Sequence, residues 1–178
     1  MDCPTLGPDG RFSARRLDPP DLPALQALFA RAADYFVIAT GAPPALDEAE
    51  RAFVGGPPSK AVSDKQTIGV FDETPTLVGV LDAIPDFPAD GTCTIGLLLL
   101  DPAARGRGLG GAVLAAFEAW MTRRGARRLR TALVTHHAAG LAFLRRAGYV
   151  EVSRHDATEA GPARPSIAVF EKDVRPTD

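Results

Sequence analysis

The sequence predicts a single α/β (α+β) domain in which helices flank a mixed central β-sheet. Three observations carry this. Short apolar runs alternate with longer stretches of helical periodicity in the order β-α-α-β-β-β-α-β-α-β-β, a pattern that gives a mixed sheet. The chain of 178 residues is 46% hydrophobic and 24% charged, enough for a real core and short enough for one domain. No repeat or interdomain linker interrupts it, so residues 11–178 are expected to form the domain behind a flexible N-terminal tail, residues 1–10.

Taken in order, Arg11–Leu17 reads as the first strand. A helix follows through Tyr35 and Phe36, with Asp21 as its cap, Pro23 in its first turn, and Leu22, Leu25, Leu28 and Phe29 on one face. A Gly/Pro turn, a short acidic helix and a Gly/Pro-rich exit lead to the strands QTIGVFD and LVGVLDAI, which the turn ETPT joins as a hairpin. Thr92–Leu100 is apolar on both faces and is expected to be a central strand covered on both sides. A long helix, Leu109 to Arg124, carries Leu109, Val113, Leu114, Phe117, Trp120 and Met121 as one stripe and stops at Gly125. The strand ARRLRTALV, a shorter helix ending at Gly148, and the strands YVEVSRH and SIAVFEK complete the order.

The net charge of −2 gives no overall pull toward nucleic acid or an anionic membrane. Only Lys60, Lys65 and Lys172 of the 20 basic residues are lysine, which suits anion recognition but is explained more simply by codon usage. Cys3 and Cys93 form neither a disulfide framework nor a metal-ligand pattern, so no metal is expected. The N-terminus lacks the basic and apolar regions of a signal peptide, and no apolar run reaches transmembrane length. The expected compartment is the cytoplasm.

The stretch LLLLDPAARGRGLGGAVL, Leu97 to Leu114, places a strand, a turn rich in glycine and arginine, and a helix N-terminus in succession. Free N–H groups of a first helical turn and the helix dipole favour an anion there. Glycines 106, 108, 110 and 111 allow close approach to the backbone, and Arg105 and Arg107 add charge, so a diphosphate is the natural guest. The Gly-Lys-Ser/Thr ending of a Walker A loop is missing. A dinucleotide GxGxxG fits by count only, because DPAAR separates it from the strand and the next strand ends in histidines rather than an acid.

Arg105–Gly110 matches Q/R-x-x-G-x-G/A behind a strand ending in Leu-Asp-Pro, and so resembles motif A of the GNAT acetyltransferase superfamily, which binds acetyl-CoA. His136–Val152 resembles the family's second conserved segment, where an Asn precedes a helix ending in an aromatic, a spacer and Gly-Phe; the Asn position falls on His137. The resemblance is strong over Thr94–Val152 and extends weakly, by element order, over most of the chain. It implies a GNAT-like fold with a splayed sheet and acetyl-CoA as acyl donor. The backbone of Leu98, Leu99 and Leu100 would pair with the pantetheine arm, and the N–H groups of Arg105, Gly106, Arg107, Gly108, Leu109, Gly110 and Gly111 would hold the pyrophosphate. Arg107 would add a side-chain phosphate contact, and His137 and Phe143 would lie beside the arm.

The implied chemistry is acyl transfer from the thioester to a primary amine of a small molecule or peptide, which needs a group to take a proton and another to return one to the thiolate. Here the sequence departs from the family, because the usual Tyr position is Leu144 and a frequent Glu position is Thr94. The candidate replacements are His136, His137 and Asp82. Asp34, Tyr35, Phe36 and Asp86 are candidates for the acceptor wall, which their charge would suit to a cationic or amphipathic amine. The departures keep open a second function, a non-catalytic acyl-CoA-binding sensor. A homodimer is compatible with either, and neither nucleic acid nor a membrane is an expected partner.

Overall fold

The computed structural model describes residues 3–6, 10–156 and 165–174. Two short strands, β1 (Cys3–Leu6) and β2 (Phe12–Arg16), precede three helices, α1 (Leu22–Arg31), α2 (Ala33–Thr40) and α3 (Glu48–Val54). Strands β3 (Gln66–Phe71), β4 (Leu77–Ile84) and β5 (Thr92–Leu100) lead to the long helix α4 (Leu109–Arg123). Strand β6 (Arg128–Val134), helix α5 (Ala138–Arg146), and strands β7 (Val150–His155) and β8 (Ile167–Asp173) follow. They form one sheet in the order β1-β2-β3-β4-β5-β6-β8-β7. Every neighbouring pair is antiparallel except β5 and β6.

The helices divide between the two faces. On one, α4 buries Leu109, Val113, Leu114, Phe117 and Met121, the side chains of one helical stripe, and α5 adds Leu141. They meet Ile68, Val70, Leu81, Ile95, Leu129 and Phe170 of the sheet. On the other, Leu25, Leu28 and Phe29 of α1 and Phe36 of α2 pack on Leu17, Leu77, Val80 and Leu99. The central strand β5 therefore feeds both cores, which is why its sequence is apolar without alternation. Trp120 is only partly buried, with the Phe117 ring at 5.8 Å and the Arg124 guanidinium over its own ring at 5.1 Å.

Three local features differ from the sequence expectation. Residues 3–6 of the expected tail pair antiparallel with β2, Cys3 opposite Ala14 and Leu6 opposite Phe12, because an open sheet edge captures a short strand that has no pattern of its own. Asp21 makes no side-chain cap bond to α1; its carboxylate accepts from the Asp18 N–H at 2.9 Å and from Arg15 at 2.7 and 2.8 Å. The expected first helix breaks at Ala32 into α1 and α2, which meet at 73°. The bend turns Phe36 back into the core, where its ring lies 5.0 Å from that of Phe29. No single helix among the described residues is long and apolar enough to cross a membrane.

Candidate active site

Strands β5 and β6 run together only from Thr92 opposite Arg128 to Ile95 opposite Thr131. Beyond that β5 continues to Leu100 and β6 to Val134, so the two arms part and leave a V-shaped gap. On its other edge β5 stays paired with β4 as far as Leu100 opposite Gly79. Gly96 is the extra residue of a bulge, since Ile95 pairs with Ala83 and Leu97 with Asp82. From Gly96 to Leu100 one backbone edge thus faces the gap without a strand partner. Leu99 points into the α1 core and Leu98 and Leu100 into the α4 core.

The glycine-rich turn follows at the open end of the gap. Asp101 Oδ1 accepts the Ala103 N–H at 3.0 Å and starts a 3-10 turn, Pro102–Ala104. Gly106 (φ +74°) and Gly108 (φ +82°) then take left-handed backbone that side chains rarely adopt. Gly108 is the N-cap of α4 and brings no side-chain acceptor, so the N–H groups of Leu109, Gly110 and Gly111 remain for a ligand. The Phe143 ring and Leu100 lie beside Gly110, on the gap side of the helix start. Arg107 is exposed and turns the other way, lining a surface cavity of about 410 Å³ with Phe12, Thr76 and Val78.

Helix α2 spans the mouth of the gap on the α1 face. At one end Asp34 is paired with the Arg105 guanidinium, whose Nε–H also donates to the Leu100 carbonyl at 3.0 Å. Arg31, at the end of α1, reinforces this arm through Asp101 and the Leu77 carbonyl. Toward its other end the His136 Nε2–H donates to the Ile38 carbonyl at 2.7 Å, while the His137 ring meets Tyr35, the neighbour of Asp34, edge-on at 6.2 Å. The Asp34 carboxylate is thus occupied by Arg105. Phe36 is only 7% exposed and lies in the core, so it is not part of an acceptor wall; the α1–α2 bend that buries it was not visible in the sequence.

His137 begins α5, and its imidazole takes the space that a Cβ at Gly140 would need. Its Nδ1 is buried without a partner. Burial holds the ring below the usual histidine range, and the Arg105 charge adds to this, so it is neutral at pH 7. Asp82 lies deep in β4. Its Oδ2 is 3.1 Å from the Lys65 ammonium, and its Oδ1 accepts from the Thr67 hydroxyl at 3.2 Å. Burial raises its proton affinity against the opposing pull of Lys65. Asp86 is not brought to this site: it stands beyond the closed end of the gap, at φ +51°, and accepts the Gly91 N–H at 2.8 Å to shape the β4–β5 turn. Thr94 serves the same turn, donating to the Phe87 carbonyl at 2.7 Å.

The family model described as the acetyltransferase (GNAT) family matches residues 25–149. The chain belongs to that family. Among solved structures, this GNAT chain is similar to an acetyltransferase from Thermus thermophilus, with 24% identity, TM-score 0.74, and 92% and 97% of the two chains covered. It is also similar to the ribosomal-protein-S18-alanine N-acetyltransferase of Escherichia coli, with 16% identity, TM-score 0.69, and 94% and 96% covered. A third is an acetyl transferase from Salmonella typhimurium that modifies the N-terminal serine of ribosomal protein L7/L12, with 17% identity, TM-score 0.74, and 92% and 95% covered. No curated protein sequence matches the chain.

Sequence reasoning about this GNAT chain did not single out Arg31, Lys65 or Gly96. Arg31 reads as an ordinary helix C-terminal cation. Lys65 stands alone before an apolar strand, which was the one available signal that it is buried. The α2 ties carry a test. Arg105 holds Asp34 below the usual carboxylate range, and Arg31 with the Ala103 N–H outweighs the burial that would raise Asp101. Both depressed groups contribute stability above the unfolded carboxylate value of about 3.9, and lose it as pH falls through their folded values. Asp34→Asn should therefore flatten the loss of stability on acidification, by less than about 1 kcal/mol because the pair is half exposed. Urea unfolding at a series of pH values reads this, and parallel curves for the two proteins would refute the contribution.

Proposed function

We propose that the protein is a cytoplasmic acetyl-CoA-dependent N-acetyltransferase that acts on the primary amine of a small molecule or peptide. The observation that carries this reading is the unpaired β5 edge, Gly96 to Leu100, ending on the uncapped N-terminus of α4. Acetyl-CoA would supply an activated acyl group as a thioester. The Leu98–Leu100 backbone would take the amides of the pantetheine arm as an added strand, beside Phe143. The N–H groups from Gly106 to Gly111 would take the pyrophosphate, while the Arg105 N–H is spent on the Pro102 carbonyl at 3.3 Å and the Arg107 side chain, turned to the far surface, would not reach it. Arg105 itself would act chiefly by holding α2 to this loop.

Asp82 would accept a proton from the incoming ammonium. His137, kept neutral, would act as a base or relay before it could serve as an acid, and would return a proton to the departing sulfur. His136 would be a tie for α2. Peptide acceptors stay beside small amines because two of the similar structures are named for acetylating ribosomal-protein residues. Calorimetric titration with acetyl-CoA, CoA and NADH, followed by thiol release over an amine panel, tests the reading. Binding of acetyl-CoA with thiol release is expected. Binding with no release from any amine would favour a sensor, for which Leu144 and Thr94 in place of the usual Tyr and Glu speak.

A further inference from the structure

We propose that Gly96 is the opening through which the acceptor amine reaches Asp82, and that Lys65 and Thr67 are the positioning residues that aim this carboxylate. The inference rests on the acyl-transfer reading above. Gly96 is exposed, although it lies in the central strand of the sheet, and it is the first residue of β5 beyond the last pair with β6. A Cβ there would stand 3.5 Å from Asp82 Oδ2 and 3.9 Å from the Asp82 carbonyl, with no other neighbour within 4 Å. That is ordinary van der Waals contact. Packing therefore does not demand a glycine, and its backbone is not left-handed; what the missing side chain provides is access to the carboxylate from the crotch of the gap.

The carboxylate is held from behind. Lys65 is 7% exposed, and its ammonium faces three acceptors: the Ala52 carbonyl, the Gly55 carbonyl at 2.6 Å and Asp82 Oδ2 at 3.1 Å. Its three N–H donors are thus matched by three acceptors, which fixes the position of the ammonium behind the carboxylate. Thr67 fixes the second oxygen. Lys65, Thr67 and Gly96 are the groups that face Asp82 from the segments packed against it. Each carboxylate oxygen keeps a further lone pair for an amine proton. In the reaction a C–N bond forms and the C–S bond breaks. Of the two protons the ammonium gives up, one goes to Asp82 and on to solvent, and the other ends on the thiol sulfur.

Gly96→Ala tests the opening. Its melting temperature and acetyl-CoA affinity should stay close to wild type, within about twofold for the affinity. Its kcat/KM for the amine that the wild type turns over best should fall about tenfold or more, because the methyl group displaces the nitrogen from the carboxylate. A readout independent of turnover is the Asp82 carboxyl carbon resonance, assigned by its loss in Asp82→Asn. With CoA bound, added ethylamine should move it in the wild type and not in Gly96→Ala. Thr67→Val removes a hydrogen bond to the charged carboxylate, so the acidic limb of the pH–rate profile should move to higher pH. Full amine turnover by Gly96→Ala, or a wild-type resonance that ignores ethylamine, would overturn the inference alone. A wild type that binds acetyl-CoA and acetylates no amine would overturn the acyl-transfer reading, and the inference with it.

Discussion

Acetyl-CoA affinity is expected to fall by about a hundredfold or more in a Gly108→Trp variant that still folds. Gly108 caps α4 at φ +82° and is exposed, so the side chain would meet solvent rather than core. It would, however, cover the N–H groups of Leu109, Gly110 and Gly111. Hydrogen bonds to a charged partner are worth about 1.5–3 kcal/mol each, so losing two costs a factor of about a hundred or more. The strain at positive φ adds about 1–2 kcal/mol to the cost of folding, which a stable domain survives. Calorimetry reads the affinity and circular dichroism the fold. A folded variant with wild-type affinity would remove the pyrophosphate from this loop.

Phe117→Ala should be the most damaging single core truncation on α4, with a loss of about 3–5 kcal/mol. Phe117 is 0% exposed and stands in the middle of the stripe that fastens α4 to the sheet. Such a loss is a large share of the roughly 5–15 kcal/mol that keeps a domain of this kind folded. Because α4 carries the N-terminal N–H groups of the candidate site, partial unfolding should also weaken acetyl-CoA binding. Equilibrium urea unfolding measures the first effect. A loss below about 1 kcal/mol would mean that α4 is not anchored through this ring.

Most of this architecture is legible without coordinates where a local pattern decides it. Thr92–Leu100 and the start of α4 at Leu109 fall where the apolar run and the glycines predict them. The parting of β5 from β6 was expected through family resemblance, and it is visible in where their pairing stops. Pairing between distant side chains is what the chain hides. Asp34, Asp82 and Asp86 look alike in the sequence as acids near the ends of their elements. One is paired with Arg105, one is aimed by Lys65 and Thr67 toward the gap, and one shapes a turn. Counting carboxylates in the sequence therefore overstates the negative charge at the acceptor wall, because Asp34 is paired with Arg105 and Asp86 stands away from the gap. Phe36 misleads for a different reason: the 73° break at Ala32 decides which side of α2 is interior.

Fastened to both arms, α2 closes the V into a triangle. An open V can widen by bending either leg, whereas a braced one widens only by breaking a joint at Arg105–Asp34 or at His136–Ile38. The spacing of the legs is therefore set by the same helix that carries Tyr35, and the loop that would meet phosphate is mechanically continuous with the wall that would meet the amine. A ligand that shifts Arg105 must do work on that brace. By reciprocity, any change that a ligand on the glycines makes in affinity at the Tyr35 wall is returned equally from the wall to the glycines.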